Sequence, residues 1–185
     1  MLLSIRHEIL SPDEVFSDSA YRSTFVSGLC QPCRLHGPGT LVRLVDSSRY
    51  SVMNSSAGDY WMEECVFRGF LQQARADLMS QGVTASPHLV GLHARFQLRD
   101  GFAVSRDWSN IDHFIQMDLP AGTSVVALVG PATSQTYYSS KQPVDQARAA
   151  AAGISLPGSL NQIIINFDFP ANEPAKSLIR GPYPF

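Results

Sequence analysis

The chain has 185 residues, of which 44% are apolar and 16% are charged, and its formal net charge is −2. This composition indicates one packed domain over residues 1–185 and excludes an intrinsically disordered chain. The small net charge offers no broad basic surface, so duplex nucleic acid is not expected as a partner.

The sequence also argues against a membrane protein and against a secreted, disulfide-bonded one. No apolar run approaches the ~20 residues that are needed to span a bilayer. The first ten residues carry Arg6 and Glu8 and lack the apolar core of a secretory signal peptide. Three cysteines cannot form a complete disulfide framework, which favours a reducing compartment. We therefore expect a soluble protein with no membrane partner.

The N-terminal third is predicted to contain a helix, a loop and a strand. Ser11, Pro12 and Glu14 have the pattern of a capping box with proline in the first turn, which predicts a helix over residues 11–28. Prolines and glycines between residues 32 and 39 predict a loop. Residues 40–45 then form a predicted buried strand that Arg43 interrupts, and residues 50–53 could be its hairpin partner.

The remaining chain is predicted to be one long helix followed mostly by strands. Residues 59–80 are the clearest helix, because Met62, Val66, Phe70 and Ala74 recur every four residues. Strands are predicted over residues 89–98, 102–105, 111–117, 125–129 and 162–169, with a short helix left open for the segment from residue 111. Residues 143–152 predict a short alanine-rich helix, and residues 170–185 a surface tail. Helices first and then mostly strands indicate an α+β fold.

The usual metal and catalytic motifs are weak or missing. Cys30 and Cys33 form one CxxC with His36 nearby, but a closed zinc site needs four ligands, so a redox pair or ordinary free cysteines remain as alternatives. We expect no metal. The sequence has no GxSxG, P-loop, GxGxxG or HExxH motif. Glu63 and Glu64 are interpreted as charges that favour a helix N-terminus.

Three polar residues, in order along the chain, are the candidates for chemistry. Arg43 lies within an apolar strand and needs an anion, either a protein carboxylate or a ligand phosphate. Ser105 ends the predicted strand at 102–105, just before Trp108. Gln162 follows a Pro-Gly turn in LPGSLNQIIINF, residues 156–167.

This order, together with GTSVVALVGPATSQ at residues 122–135, resembles the ADP-ribosyltransferase-like superfamily in its Arg–Ser–Glu/Gln form, including its NAD glycohydrolase toxins. The resemblance covers residues 40–168. It implies N-terminal helices on a split, mostly antiparallel β core. It also implies an NAD-consuming toxin or effector that cleaves the nicotinamide–ribose bond, in the cytoplasm or after delivery into a target cell. An ADP-ribose acceptor or an immunity protein would be its macromolecular partner.

The resemblance also implies roles for particular residues. Arg43 would clamp the pyrophosphate, a task that suits its forked guanidinium. Gln162 would hydrogen-bond the ribose hydroxyls, and Ser105 would lie beside that ribose. Trp108 or Tyr60 would stack on the nicotinamide ring. Gln135 would hold a loop near the site. Leu160 stands where the family commonly has a Glu that supports transfer to protein, which leaves hydrolysis, cyclisation and transfer to another acceptor open.

Each assignment has a structural alternative. Arg43 could belong to a structural ion pair, and Gln162 could bond the backbone of a neighbouring loop. Ser105 could be an ordinary strand-end hydroxyl, Trp108 a core residue, and Gln135 an exposed one. A binding module of the same fold without catalysis, or an unrelated β-rich interaction protein, are the alternative functions. If the protein is such an enzyme, we expect Arg43, Ser105 and Gln162 to line one pocket.

Overall fold

The computed structural model describes residues 5–17, 19–46, 60–102, 111–136, 155–156, 158 and 160–185. Within these ranges the chain is a mixed α+β structure, with three α-helices and an eight-stranded antiparallel sheet. None of the helices in these ranges combines the length and the apolar character needed to cross a membrane. The predicted elements at residues 50–53 and 143–152 lie outside the described residues.

The described elements have the following bounds. The strands are β1 (Arg6–Ile9), β2 (Gln31–His36), β3 (Gly39–Val45), β4 (Tyr60–Glu63), β5 (His113–Leu119), β6 (Ser124–Pro131), β7 (Gln135–Thr136), β8 (Ser155–Leu156), β9 (Asn161–Ile164) and β10 (Ile179–Pro184). The helices are α1 (Ser19–Arg22), α2 (Glu64–Ser80) and α3 (Pro87–Gly101), with 3-10 turns at Pro12–Glu14 and Pro170–Leu178. The large sheet has the order β1-β2-β6-β9-β4-β3-β5-β10, and β7 and β8 form a separate pair.

The short strand β4 joins the two halves of the large sheet. Its first two residues, Tyr60 and Trp61, pair with β9, whereas Met62 and Glu63 pair with β3. The sheet therefore divides at β4, and the inner faces of the two halves share one apolar core. The side chains of this inner core include Leu35, Leu41, Trp61, Ile115, Met117, Val125, Ala127 and Ile163.

The outer faces of the two halves carry different layers. On one half, α2 and α3 form a second core with β3 and β4, which contains Val42, Met62, Phe67, Ala74, Leu78, Val90, Ala94 and Leu98. On the other half, residues 10–30, the N-terminal segment, cover β6 and β9. Val15, Phe16 and Phe25 of this segment pack against Val126 and Leu128 of β6 and Ile164 of β9. Apolar side chains thus alternate between two cores along β3, β6 and β9, because successive residues of a strand point to opposite faces.

A buried amide fastens the second 3-10 turn to β6. The Oδ1 of Asn172 accepts a hydrogen bond from Val126 N at 2.7 Å, and its Nδ2 donates to Val126 O at 2.8 Å. The same Nδ2 also donates to Asn166 O at 2.9 Å. Asn172 is fully buried, so these bonds satisfy polar groups that water cannot reach.

A carboxylate links α2 to α3. Asp77 Oδ1 accepts a hydrogen bond from Gln73 Nε2 at 2.7 Å, and Oδ2 accepts one from Gln97 Nε2 at 3.1 Å. The bond from Gln73 has the largest effect and lowers the pKa of Asp77; desolvation opposes this, and the bond from Gln97 adds to it. The carboxylate is therefore held in its charged form.

The predicted helix at residues 11–28 is wrong. The capping box is present, but it caps only the 3-10 turn, and Val15 is already extended, with φ −124° and ψ 157°. Val15 and Phe16 are both buried against β6, so the chain lies extended on the sheet there instead of continuing as a helix. The four-residue α1 then stops where Thr24 donates from its N and its Oγ1 to Tyr21 O.

Three further predictions need correction. The loop expected between residues 32 and 39 is largely β2, and the tail expected at 170–185 ends in β10, which pairs with β5 at the sheet edge. The segment 89–98 is part of α3 and not a strand. Val90, Ala94 and Leu98 are buried at four-residue spacing, and the Ser86 Oγ caps the helix by accepting from Leu89 N at 3.3 Å.

Other elements are confirmed. The strands predicted at 40–45, 111–117 and 125–129 correspond to β3, β5 and β6, so the short helix left open at residue 111 does not form. The long helix is confirmed as α2, although it begins at Glu64, after β4. The strand predicted at 162–169 is shorter and ends at Ile164.

Candidate functional site

Gln162 lies on β9 and points away from the inner core. Its neighbour Ile163 belongs to the inner core, whereas Ile164 packs under the N-terminal segment. By strand alternation, Gln162 shares the outer face with Ile164. Its side chain is buried, with 4% of its surface exposed. A buried amide of this kind must find hydrogen-bond partners inside the protein.

The Gln162 amide binds the turn after α1. Its Nε2 donates to Thr24 O at 2.9 Å and to Thr24 Oγ1 at 3.1 Å. The opposite residue on β6 is Gly130, where a Cβ would lie 2.5 Å from Leu29 O, so the N-terminal segment approaches the sheet closely here. The structural alternative that the sequence left open, a bond from Gln162 to neighbouring loop backbone, is therefore the contact observed.

Arg43 lies on the opposite face of the sheet from Gln162. It alternates on β3 with Leu41 and Val45, which both belong to the inner core, and it pairs across strands with Ile115. Its side chain is partly buried. Arg43 and Gln162 therefore lie on nearby strands, with β4 between them, but their side chains project from different faces.

The other candidates are distributed around this region. Tyr60 begins β4, is 43% exposed, and pairs with Ile164, so it lies on the same outer face as Gln162. Gln135 begins β7 and pairs through its backbone with Leu156. Ser105 and Trp108 lie outside the described residues.

The face that carries Arg43 has two polar residues that sequence reasoning did not assign to the site. Asn161 is exposed at the start of β9, and by alternation it lies on the inner face with Ile163. Glu63 ends β4 on the same face as Trp61. Strand alternation in NQIII could have indicated Asn161, but only once the buried face of β9 was known.

Glu63 is held by a residue from the other half of the sheet. Its Oε1 accepts a hydrogen bond from His7 Nε2 at 3.0 Å, which connects β1 with β4 across the rim of the inner core. Next to it, Trp61 is 2% exposed, and its Nε1 has no hydrogen-bond partner in the part of the chain that the structure describes. The rim formed by Glu63, Asn161 and Trp61 thus combines a carboxylate, an exposed amide and a buried N–H donor.

The cysteines do not form a reactive or metal-binding group among the described residues. Cys30, Cys33 and Cys65 are free, and desolvation is the main cause that raises the pKa of each thiol. Thiols with raised pKa values are poor nucleophiles at neutral pH. No described set of three His, Cys, Asp or Glu side chains is arranged to hold a metal ion.

Comparisons with models of protein families, with curated proteins and with solved structures found no match to this chain.

Proposed function

We propose that this protein is an NAD-consuming enzyme of the ADP-ribosyltransferase-like class that cleaves the nicotinamide–ribose bond, as a toxin or effector. The observation that supports this function best is the sheet order β9-β4-β3. The resemblance depends on an Arg on an early strand and an amide on a late strand. These two strands are distant in the sequence, yet only β4 separates them in the sheet.

The structure changes which amide we assign to the substrate. Gln162 is buried and bonded to Thr24, so we infer that it positions the N-terminal segment. Asn161 shares the face of Arg43 and is exposed, so we propose that Asn161 hydrogen-bonds the ribose hydroxyls. From the strand spacing and the rise per residue, the Cα atoms of Arg43 and Asn161 are on the order of 12 Å apart. A dinucleotide could contact one side chain with its pyrophosphate and the other with a ribose.

The proposed reaction needs little acid–base chemistry. The bond between C1′ and the nicotinamide nitrogen breaks, and its electron pair neutralises the pyridinium ring. Water then adds its oxygen to C1′ and releases a proton, which gives nicotinamide and ADP-ribose; in a transfer reaction an acceptor replaces the water. The ribose passes through an oxocarbenium-like state, which a nearby carboxylate stabilises. We assign that role to Glu63, at the same rim as Asn161.

The test is nicotinamide release from NAD by the purified protein, measured by chromatography. We expect release by the native chain. Asn161→Ala should lose on the order of 10²-fold in kcat/KM, the typical effect of removing one well-placed donor. Arg43→Lys keeps the charge but not the fork, and should mainly raise KM.

The matched control is Gln162→Leu, which alters the neighbouring residue on the opposite face. Below its unfolding temperature it should keep the kcat of the native chain. If Gln162→Leu abolishes release while Asn161→Ala does not, our assignment of the two amides is wrong. If the folded native chain neither releases nicotinamide nor gains thermal stability with NAD, the proposed function is wrong.

A second candidate function is a non-catalytic interaction protein with a β-rich fold. The observation that favours it is that the amide of Gln162 is already satisfied by Thr24 and faces away from Arg43. It predicts no turnover of NAD and unchanged melting in its presence. The same two measurements therefore separate the two functions.

A further inference from the structure

The large sheet has two edge strands, β1 and β10, and only β10 is protected against pairing with a further strand. β10 contains Pro182 and Pro184, which have no backbone N–H, and its pairing with β5 shifts register between Arg180 and Tyr183. Both features discourage another strand from joining that edge. β1 has neither of them, because its four residues are all exposed and pair with β2 in one unbroken register. Within the described part of the chain, the edge of β1 is therefore open to another strand.

The backbone bonds of β1 show which of its residues point outwards. Leu10 N donates to Pro32 O at 3.0 Å, so the N–H and C=O of Leu10 point towards β2. Backbone direction alternates along an antiparallel strand. Glu8 therefore also turns its N–H and C=O to β2, whereas His7 and Ile9 turn theirs away from it. These outward groups are the ones that a further strand would bind.

The side chains of β1 are complementary to a second copy of the same strand. When two copies pair antiparallel about His7, Arg6 of each copy lies opposite Glu8 of the other, and Ile5 lies opposite Ile9. A two-fold axis at Glu8 would instead oppose two carboxylates, and an axis at Arg6 two guanidinium groups, which destabilises a strand pair. The axis at His7 also fits the backbone, because the N–H and C=O of His7 point outwards.

The side chains that this pairing would engage are available. The Arg6 guanidinium forms no ion pair or hydrogen bond with the part of the chain that the structure describes. Glu8 accepts from His36 Nε2 at 2.6 Å through Oε2, which leaves Oε1 for a second donor. Ile9 is 71% exposed, the largest exposed fraction among the described large apolar side chains, and pairing would cover it.

We propose that β1 pairs antiparallel with β1 of a second copy of this chain, which joins two large sheets at their edges in a symmetric dimer. About six backbone hydrogen bonds would form, through Ile5, His7 and Ile9 of each copy. The His7 ring stays bonded to Glu63 of its own copy, because the pairing uses only the backbone of His7. So short a strand buries less surface than a standard interface, so the dimer is weak and depends on protein concentration.

The test is sedimentation velocity of the full chain in the absence of NAD, at protein concentrations from about 1 µM to 1 mM. We expect the native chain to pass from monomer to dimer in this range. Arg6→Glu opposes carboxylates in both cross-strand pairs and should raise the dissociation constant about tenfold or more. Glu8→Arg should do the same by opposing guanidinium groups. An equal mixture of the two variants should associate as the native chain does, because each variant then meets the opposite charge.

A proline tests the backbone separately from the charges. Ile9→Pro removes an outward N–H but no hydrogen bond to β2, so β1 should stay in its sheet while dimerisation is lost. Ile9→Ala keeps that N–H and should weaken the dimer less. The matched control is Arg180→Glu, which makes the same change of charge as Arg6→Glu on the other edge strand and should leave dimerisation unchanged. Circular dichroism confirms that each variant is folded.

A native chain that stays monomeric at about 1 mM overturns the proposal. A dimer that folded Arg6→Glu and Ile9→Pro form as readily as the native chain also overturns it, because that dimer uses another surface. An equal loss in Arg180→Glu would attribute the effect to overall charge, and a mixture of the folded charge variants that fails to associate would refute the register. None of these measurements involves NAD, so this proposal and the proposed function can fail separately.

Discussion

The replacement of Gln162 by leucine tests whether this residue holds the N-terminal segment on the sheet. Leucine keeps the size and the burial of the side chain but removes the two hydrogen bonds to Thr24. Each neutral hydrogen bond contributes about 1 kcal/mol, so we expect a loss of about 2 kcal/mol in the free energy of unfolding. Thr24 O still accepts from Thr133 N at 2.9 Å, which limits the loss.

For a chain of this length, such a loss corresponds to a melting temperature lower by about 4–8 °C. The assay is thermal and urea unfolding followed by circular dichroism. A double-mutant cycle with Thr24→Val isolates the bond to the hydroxyl and should give a coupling of about 0.5–1 kcal/mol. An unchanged melting temperature together with a coupling near zero would refute this reasoning.

The remaining predictions concern stability and pH. Asn172→Ala should lower the free energy of unfolding by about 3–4 kcal/mol in urea, since it removes three hydrogen bonds, two of them buried, and leaves backbone groups of β6 unpaired. The pKa of Asp77 is lowered chiefly by Gln73, so the stabilisation from this carboxylate is complete above the unfolded-state pKa and lost as pH falls through the lower folded value. Stability measured from about pH 5 to pH 2 should therefore fall less in Asp77→Asn than in the native chain; an equal fall would contradict the link. Gly130→Ala should cost about 1–3 kcal/mol by forcing Leu29 away, and a neutral result in urea unfolding would show that this segment moves freely.

Sequence reasoning predicted correctly those helices and strands whose apolar pattern fits only one type of secondary structure. The strands β3, β5 and β6 are short apolar runs bounded by turns, and α2 has one apolar stripe at helical spacing. The mixed α+β class is confirmed, but the predicted order of helices first and then strands is wrong, because β1 to β4 all precede α2 in the chain. Local chemistry also predicted the capping box at Ser11 correctly, because its bonds join residues only three apart.

Where a segment fits both the strand period and the helix period, its packing in the folded chain selects between a strand and a helix. In residues 89–98, apolar residues alternate at 90, 92, 94, 96 and 98, which predicts a strand, yet every second member of that series also repeats at helical spacing. Packing against α2 selects the helix, and Phe96 is left 57% exposed as a result. Similarly, Val15 and Phe16 could not be assigned from sequence, because both are buried only by a sheet formed from distant strands.

The candidate site shows the same division. The sequence identified β3 and β9 as the strands that carry polar residues among apolar ones, through Arg43 and Gln162. It could not decide which face of β9 meets Arg43, because a shift of one residue reverses every side chain of a strand. That choice depends on pairing with β4 and β6, and it directs Asn161 to the face of Arg43 and Gln162 to Thr24.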